Sequence, residues 1–151
     1  MNSHPSLPEK DEDQMMDSKA QTLAQVLSAT DAHDLDAVRT FYKPDGHILA
    51  PGVELRGDDQ IISWYQVFVT AFPDIKHEIR ATTQENATCV IQARATGTHT
   101  GPLASPGGDI PPTGKSFVLD YVEVARFEDG RIKSEEYYWD NQSFLTQLGL
   151  V

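Results

Sequence analysis

The apolar pattern of this chain changes period at Ile75. Before that point apolar residues recur in steps of three and four. Met16, Ala20, Leu23 and Leu27 form one such set, Leu35, Val38 and Phe41 a second, and Ile61, Tyr65, Phe68 and Phe72 a third. Each set falls on one face of a helix. From Ile75 onward, Ile75, His77 and Ile79 alternate with Lys76, Glu78 and Arg80, which is the period of a strand. A chain that is helical first and stranded afterwards predicts an α+β domain with helices covering one face of an antiparallel sheet.

Local signals set the expected boundaries. Thr30 to Asp34 interrupts the first helix, and Asp34 is placed to cap a second over Leu35 to Tyr42. Pro44-Asp45-Gly46 predicts a turn, His47 to Ala50 a short strand, and Pro51-Gly52 its end. Gly57-Asp58-Asp59 opens the third helix. Phe72-Pro73-Asp74 closes it, because the residue before a proline is pushed out of the α region. Glu85-Asn86 predicts a turn, Cys89 to Thr98 a long strand, and Gly101 to Gly114 a loop rich in Gly and Pro. Phe117 to Phe127 and Arg131 to Asp140 flank Asp129-Gly130, a strong hairpin signal. The apolar segment Phe144 to Val151 predicts a docked terminal turn of helix. Residues 1–15 contain little to bury and the charge run Glu9 to Asp13, so they read as a disordered tail, with the domain spanning 16–151.

Charge and composition narrow the functions. Lys and Arg total 12 against 23 Asp and Glu, a net charge of −11. Such a surface repels nucleic-acid phosphates and anionic lipid. No apolar run approaches the ~20 residues of a membrane span. The first residues lack the basic start and apolar middle of a signal peptide, so a cytoplasmic protein is expected. The single cysteine, Cys89, excludes an internal disulfide and a multi-thiolate metal site, and reads as a small buried hydrophobe. The five histidines show no HxH or HxxxH spacing, and no Gly-rich phosphate loop precedes a helix. Neither metal nor cofactor is called for. His47 and His77 read as structural.

The hairpin carries the sharpest chemical inference. With a two-residue Asp-Gly loop, Glu123 faces Glu136 and Tyr121 faces Tyr138, while Leu119 faces Asp140. Leu119, Phe127 and Ile132 mark that side as the inner one. Two carboxyls facing each other there cannot both ionise cheaply, which leaves a proton donor beside an acceptor. A three-residue loop bulged at Gly130 would instead turn Asp120 inward in place of Glu123. Both glutamates on a solvated outer face is the bland alternative.

Other candidates have two readings each. His99, at a strand end before the long loop, could stand at a pocket mouth or hold the loop by backbone hydrogen bonds. Asp140 could orient His99 or a substrate hydroxyl, or cap the closing helix. Arg94, alone in an uncharged run, would neutralise a pocket carboxylate if inward and serve as a surface charge if outward. Trp64, Tyr65, Phe68 and Phe72 mostly build the core, and one or two of them could line an apolar pocket. Tyr121 and Tyr138 suit a pocket, because a buried phenol needs a partner for its hydroxyl.

Several segments in order carry a family likeness: Ala71-Phe72-Pro73-Asp74, Gly97-Thr98-His99-Thr100-Gly101, Pro111-Pro112-Thr113-Gly114-Lys115, Glu128-Asp129-Gly130-Arg131-Ile132, Tyr138-Trp139-Asp140 and Gln147-Leu148-Gly149-Leu150. Together the chain resembles the SnoaL-like polyketide cyclases. The resemblance implies an NTF2-like cone, with three helices on a strongly curved antiparallel sheet, a pocket at the open end, and homodimers. It also implies an acidic residue at Glu123, three before Arg126, which favours Glu123 over Asp120. The expected function is therefore a cofactor-independent cyclase or isomerase acting on a hydrophobic, carbonyl-bearing, polyketide-like small molecule. Glu123 would take the proton, with Glu136 or His99 at the enolate oxygen. A non-catalytic ligand-binding protein is the alternative, as is an epoxide-hydrolase-like enzyme in which two carboxylates and Arg94 activate water.

Overall fold

The computed structural model describes residues 6–151, with side chains from Ser18 onward. Three helices and two strands come first: α1 (Ser6–Asp31), α2 (Leu35–Thr40), β1 (Tyr42–Ala50), the short β2 (Val53–Arg56) and α3 (Asp58–Ala71). Four long strands and a closing helix follow: β3 (Lys76–Glu85), β4 (Thr88–Thr98), β5 (Ser116–Glu128), β6 (Arg131–Trp139) and α4 (Asn141–Gln147). Among the described residues no helix is long and apolar enough to cross a membrane.

α1 starts at Ser6, ahead of the expected start at Met16. Pro8 does not prevent this, because the first-turn N–H groups of a helix have no intrahelical partner to lose. Residues 1–5 and the side chains up to residue 17, that of Met16 among them, lie outside the described residues, so the tail expected over residues 1–15 is described only from Ser6 on, as helix backbone. Leu23, Val26 and Leu27 are buried on one face of α1. Asp34 caps α2 by accepting the Ala37 N–H at 3.1 Å. α3 buries Ile61, Tyr65 and Val69 and ends at Phe72, as its proline signal predicts.

The six strands form one sheet in the order β2-β1-β6-β5-β4-β3. All neighbours are antiparallel except β1 and β6, which run parallel. The predicted turn at Pro44-Asp45-Gly46 is instead part of β1, taken up as an irregularity between Tyr42 and His47. Proline fits there because no regular ladder hydrogen bond is asked of it. Further shifts in register occur in β3 between Ile79 and Ala81 and in the β5–β6 pair after Arg126. Such irregularities bend a sheet, and this one curls around a core that includes Tyr42, Ile48, Phe72, Ile91, Ile132 and Leu148.

Candidate functional site

The β5–β6 hairpin decides which carboxylates enter the cone. Asp129 and Gly130 have φ of 54° and 77°, the two left-handed positions of a two-residue turn. Next to the turn the pairing is as expected, with Phe127 opposite Ile132. One residue on, β6 takes an extra residue, so Arg126 pairs with Ser134 and Glu123 with Tyr137. A one-residue slip exchanges the faces of everything beyond it. Glu135, Tyr137 and Trp139 therefore turn inward, and Glu136 and Tyr138 turn out.

Glu136 is thus not the partner of Glu123. It lies on the outer face, bonded to Arg126 at 2.5 Å and to the Tyr138 hydroxyl at 2.9 Å, and Arg126 holds its carboxyl below the usual glutamate range. Tyr138 is 56% exposed. Asp120 also faces out. It receives two bonds from Arg94, at 2.7 and 3.0 Å, and that guanidinium lowers its pKa. Arg94 and Asp120 therefore neutralise each other on the outer sheet face, away from the pocket. An epoxide-hydrolase-like site needs them inside.

Glu123 and Glu135 are the carboxylates in the interior, 2% and 0% exposed. Burial raises both pKa values, and Glu123 is driven further by the charge of Glu135. A carboxyl hydrogen bond between them favours the ionised form of Glu135 and the protonated form of Glu123. The Oε2 atoms of both residues are buried without a hydrogen-bond partner, a need that one proton shared between the carboxyls would meet.

Three tyrosines complete the cluster. The Tyr42 hydroxyl donates to Glu135 Oε1. Its single proton thus committed, Tyr42 accepts from Tyr65 at 2.6 Å, and Tyr65 in turn accepts from Tyr137 at 3.4 Å. The hydroxyls are ordered toward Glu135, as an ionised carboxylate there requires. Burial and the nearby carboxylates raise the pKa of Tyr42, Tyr65 and Tyr137, so all three remain neutral phenols.

Above this cluster opens a pocket of about 630 Å³, counting its solvent-open mouth. Its wall is largely aromatic: Trp64, Tyr65 and Phe68 from α3, Phe117 and Tyr121 from β5, and Tyr137 and Trp139 from β6. Trp64 meets Phe68 edge-on at 5.2 Å and stacks near-parallel to Trp139 at 6.5 Å. Trp64, Phe68 and Tyr121 line this pocket, while Tyr138 lies outside it on the exposed face. Tyr65, Tyr121 and Tyr137 belong to the pocket wall, and neither glutamate does.

His99 lies outside this wall, fully buried among Phe72 and the 101–114 loop. Its Nδ1 accepts the Thr113 N–H at 3.2 Å, and its backbone bonds Lys115 and Gly114. Burial lowers its pKa, which keeps it neutral. It ties the loop down, the second of its two readings. Asp140 accepts the Ser143 N–H at 3.0 Å and caps α4, again the structural reading. Cys89 is buried and free. Glu135, Tyr42 and Tyr137 are not singled out by the sequence, and Tyr65 reads there only as a core or pocket-wall aromatic. The doublets Glu135-Glu136 and Tyr137-Tyr138 look alike in either register, so only the bulge distinguishes them.

Comparison with known proteins agrees with this fold. The model of the family described as SnoaL-like polyketide cyclase matches residues 20–148. No curated protein matches the sequence. Among solved structures, the chain is similar to IdmH of Streptomyces antibioticus, a proposed polyketide cyclase. The two are 27% identical over 86% of this chain and 97% of that one, with a TM-score of 0.70. A proposed SnoaL-like polyketide cyclase from Jannaschia sp. is 21% identical, covers 90% of this chain and 94% of its own, and has a TM-score of 0.79. An NTF2-like protein of unknown function from Burkholderia pseudomallei is 19% identical over 87% and 97%, with a TM-score of 0.71. The last two likenesses establish the NTF2-like fold alone. With its family match running from α1 into α4, this chain belongs to the SnoaL-like polyketide cyclase family.

Proposed function

We propose that the protein is a cofactor-independent cyclase or isomerase that moves protons at carbon next to a carbonyl, on a hydrophobic small molecule held in the aromatic pocket. The observation that carries this reading is the buried Glu123–Glu135 pair beneath that pocket, linked to its wall by Tyr42, Tyr65 and Tyr137. Glu123 retains 2% of its surface and Glu135 none, so Glu123 is assigned as the member that reaches the substrate.

When the shared proton moves onto Glu135, Glu123 becomes the base and takes a proton from carbon. The Tyr137 phenol turns its proton from the long 3.4 Å bond with Tyr65 to the enolate oxygen, and its raised pKa keeps that proton on it, while Tyr65 stays bonded to Tyr42. Reprotonation at another carbon by Glu123 gives isomerisation. Attack of the enolate carbon on a second carbonyl of the same molecule gives a ring and an alkoxide, which takes the proton back from Glu123. Either sequence returns the pair to its starting state with one proton. The apolar walls exclude water and hold the reacting carbon in place.

A suitable probe is 2-tetralone, whose exchange of carbon-bound protons for deuterium is followed by NMR in D₂O. The protein is expected to accelerate exchange, and Glu123→Gln to reduce that acceleration by at least about a hundredfold. An equal rate with the variant removes Glu123 from the chemistry. A second reading, a binding protein without catalysis, draws on the absence of both carboxylates from the pocket wall. It is favoured if 2-tetralone binds but exchanges at the rate seen in buffer.

A further inference from the structure

Besides Thr30 and its tyrosines, the pocket wall carries one imidazole, that of His77. His77 stands near the start of β3, beside Asp31 at the end of α1. Asp31 commits both oxygens to it. Oδ2 accepts the His77 backbone N–H at 3.0 Å, and Oδ1 accepts from the ring Nδ1 at 2.6 Å. A carboxylate at Nδ1 fixes the ring's orientation and places the proton there, which leaves Nε2 as the open nitrogen. Among the described residues the ring makes no other protein hydrogen bond.

The ring is 10% exposed, lines the pocket, and meets Tyr121 at right angles with centroids 6.3 Å apart. It belongs to a row across the sheet, His77–Ala95–Leu119, whose three members all line the pocket. Leu119 precedes Glu123 by four residues on β5, about 13 Å along the strand. A tie between helix and strand uses only the backbone N–H and Nδ1. It gives no reason for an imidazole to line a pocket whose wall is largely aromatic.

We propose that His77, held by Asp31, is a ligand-binding residue that recognises a hydroxyl group at the end of the ligand remote from Glu123. The class of molecule this pocket takes is then a flat apolar ring system carrying a hydroxyl. A neutral Nε2 accepts the hydroxyl proton, and a protonated one donates to the hydroxyl oxygen, so this group is bound in either state. A methyl group in the same place leaves Nε2 unpaired and is disfavoured. The inference rests on the reading of the pocket as a small-molecule site and not on proton transfer by Glu123.

Both tryptophans of the chain, Trp64 and Trp139, line the pocket, so their fluorescence reports binding. The probes are 2-naphthol and 2-methylnaphthalene, and the variant is His77→Asn. Its amide nitrogen can take the place of Nδ1 toward Asp31, and it has no counterpart of Nε2. The affinity ratio of naphthol to methylnaphthalene is expected to fall about tenfold in His77→Asn, with methylnaphthalene binding unchanged. An unchanged ratio overturns the proposal. Should the variant fail to fold, ¹⁵N-histidine NMR of the wild type decides instead. The His77 Nε2 resonance should move with 2-naphthol and not with 2-methylnaphthalene, and a resonance that stays put overturns the proposal. Glu123→Gln should keep the naphthol preference, so the loss of tetralone exchange and the loss of this preference are separable results. Failure of both probes to bind contradicts both readings.

Discussion

Moving a carboxyl out of water penalises its charged form, and Glu123 carries that penalty together with repulsion from Glu135. Its pKa in the folded protein lies above the ordinary glutamate value of about 4.3. Between those two values the folded chain keeps a proton that the unfolded chain releases. The stability tied to this group is therefore complete below the ordinary glutamate range and is lost as pH rises through the folded pKa. Glu123→Gln removes that dependence, so denaturant melts from pH 4 to 8 should show the variant gaining on the wild type as pH rises. Parallel curves would contradict the assignment. Tyr42→Phe takes away the hydroxyl donated to Glu135. It should cost about 1–3 kcal/mol in the same melts, because a buried acceptor loses its partner. A change within about 0.5 kcal/mol would mean that Glu135 is satisfied some other way.

At the scale of elements, the hairpin shows what periodicity can and cannot reveal. The turn is legible, because Asp-Gly favours the two left-handed conformations found there. The inner face of β5 is legible too, since Phe117, Tyr121, Glu123 and Ala125 are all buried. The extra residue in β6 is not. Glu135-Glu136 and Tyr137-Tyr138 offer the same side chains to either face, and no local signal breaks the tie. Helix ends fare better, because caps depend on nearest neighbours. Asp140→Ala should destabilise by about 1 kcal/mol through loss of the α4 cap, with no effect on pocket binding. A loss of binding would restore a direct role for Asp140. The 101–114 loop is anchored where Thr100 and Gly101 both donate to the Ala71 carbonyl at the end of α3. A Cβ on Gly101 would sit 2.0 Å from the Thr70 carbonyl oxygen. Gly101→Ala should therefore shift this junction and cost about 1–3 kcal/mol in stability, read by thermal melts.

For the whole molecule, the net charge of −11 separates into two populations. Outward acids such as Asp120 and Glu136 are paired with Arg94 and Arg126. Glu123 and Glu135 lie within the cone, where one proton between them would make the folded chain less negative than the formal count. The change of period at Ile75 made the layering of helices on sheet readable, because burial on one face imposes it on every element. The site was less readable because it is assembled across β1, α3, β5 and β6, where one bulge decides which neighbour faces in. The family sets the architecture, and the proposed chemistry rests on that interior proton. Its most direct test is NMR titration of the side-chain ¹³C carboxyl signals of Glu123 and Glu135 in the intact protein. One carboxyl should stay protonated well above the ordinary glutamate range while the other responds to it. Two independent titrations near pH 4.3 would contradict the account.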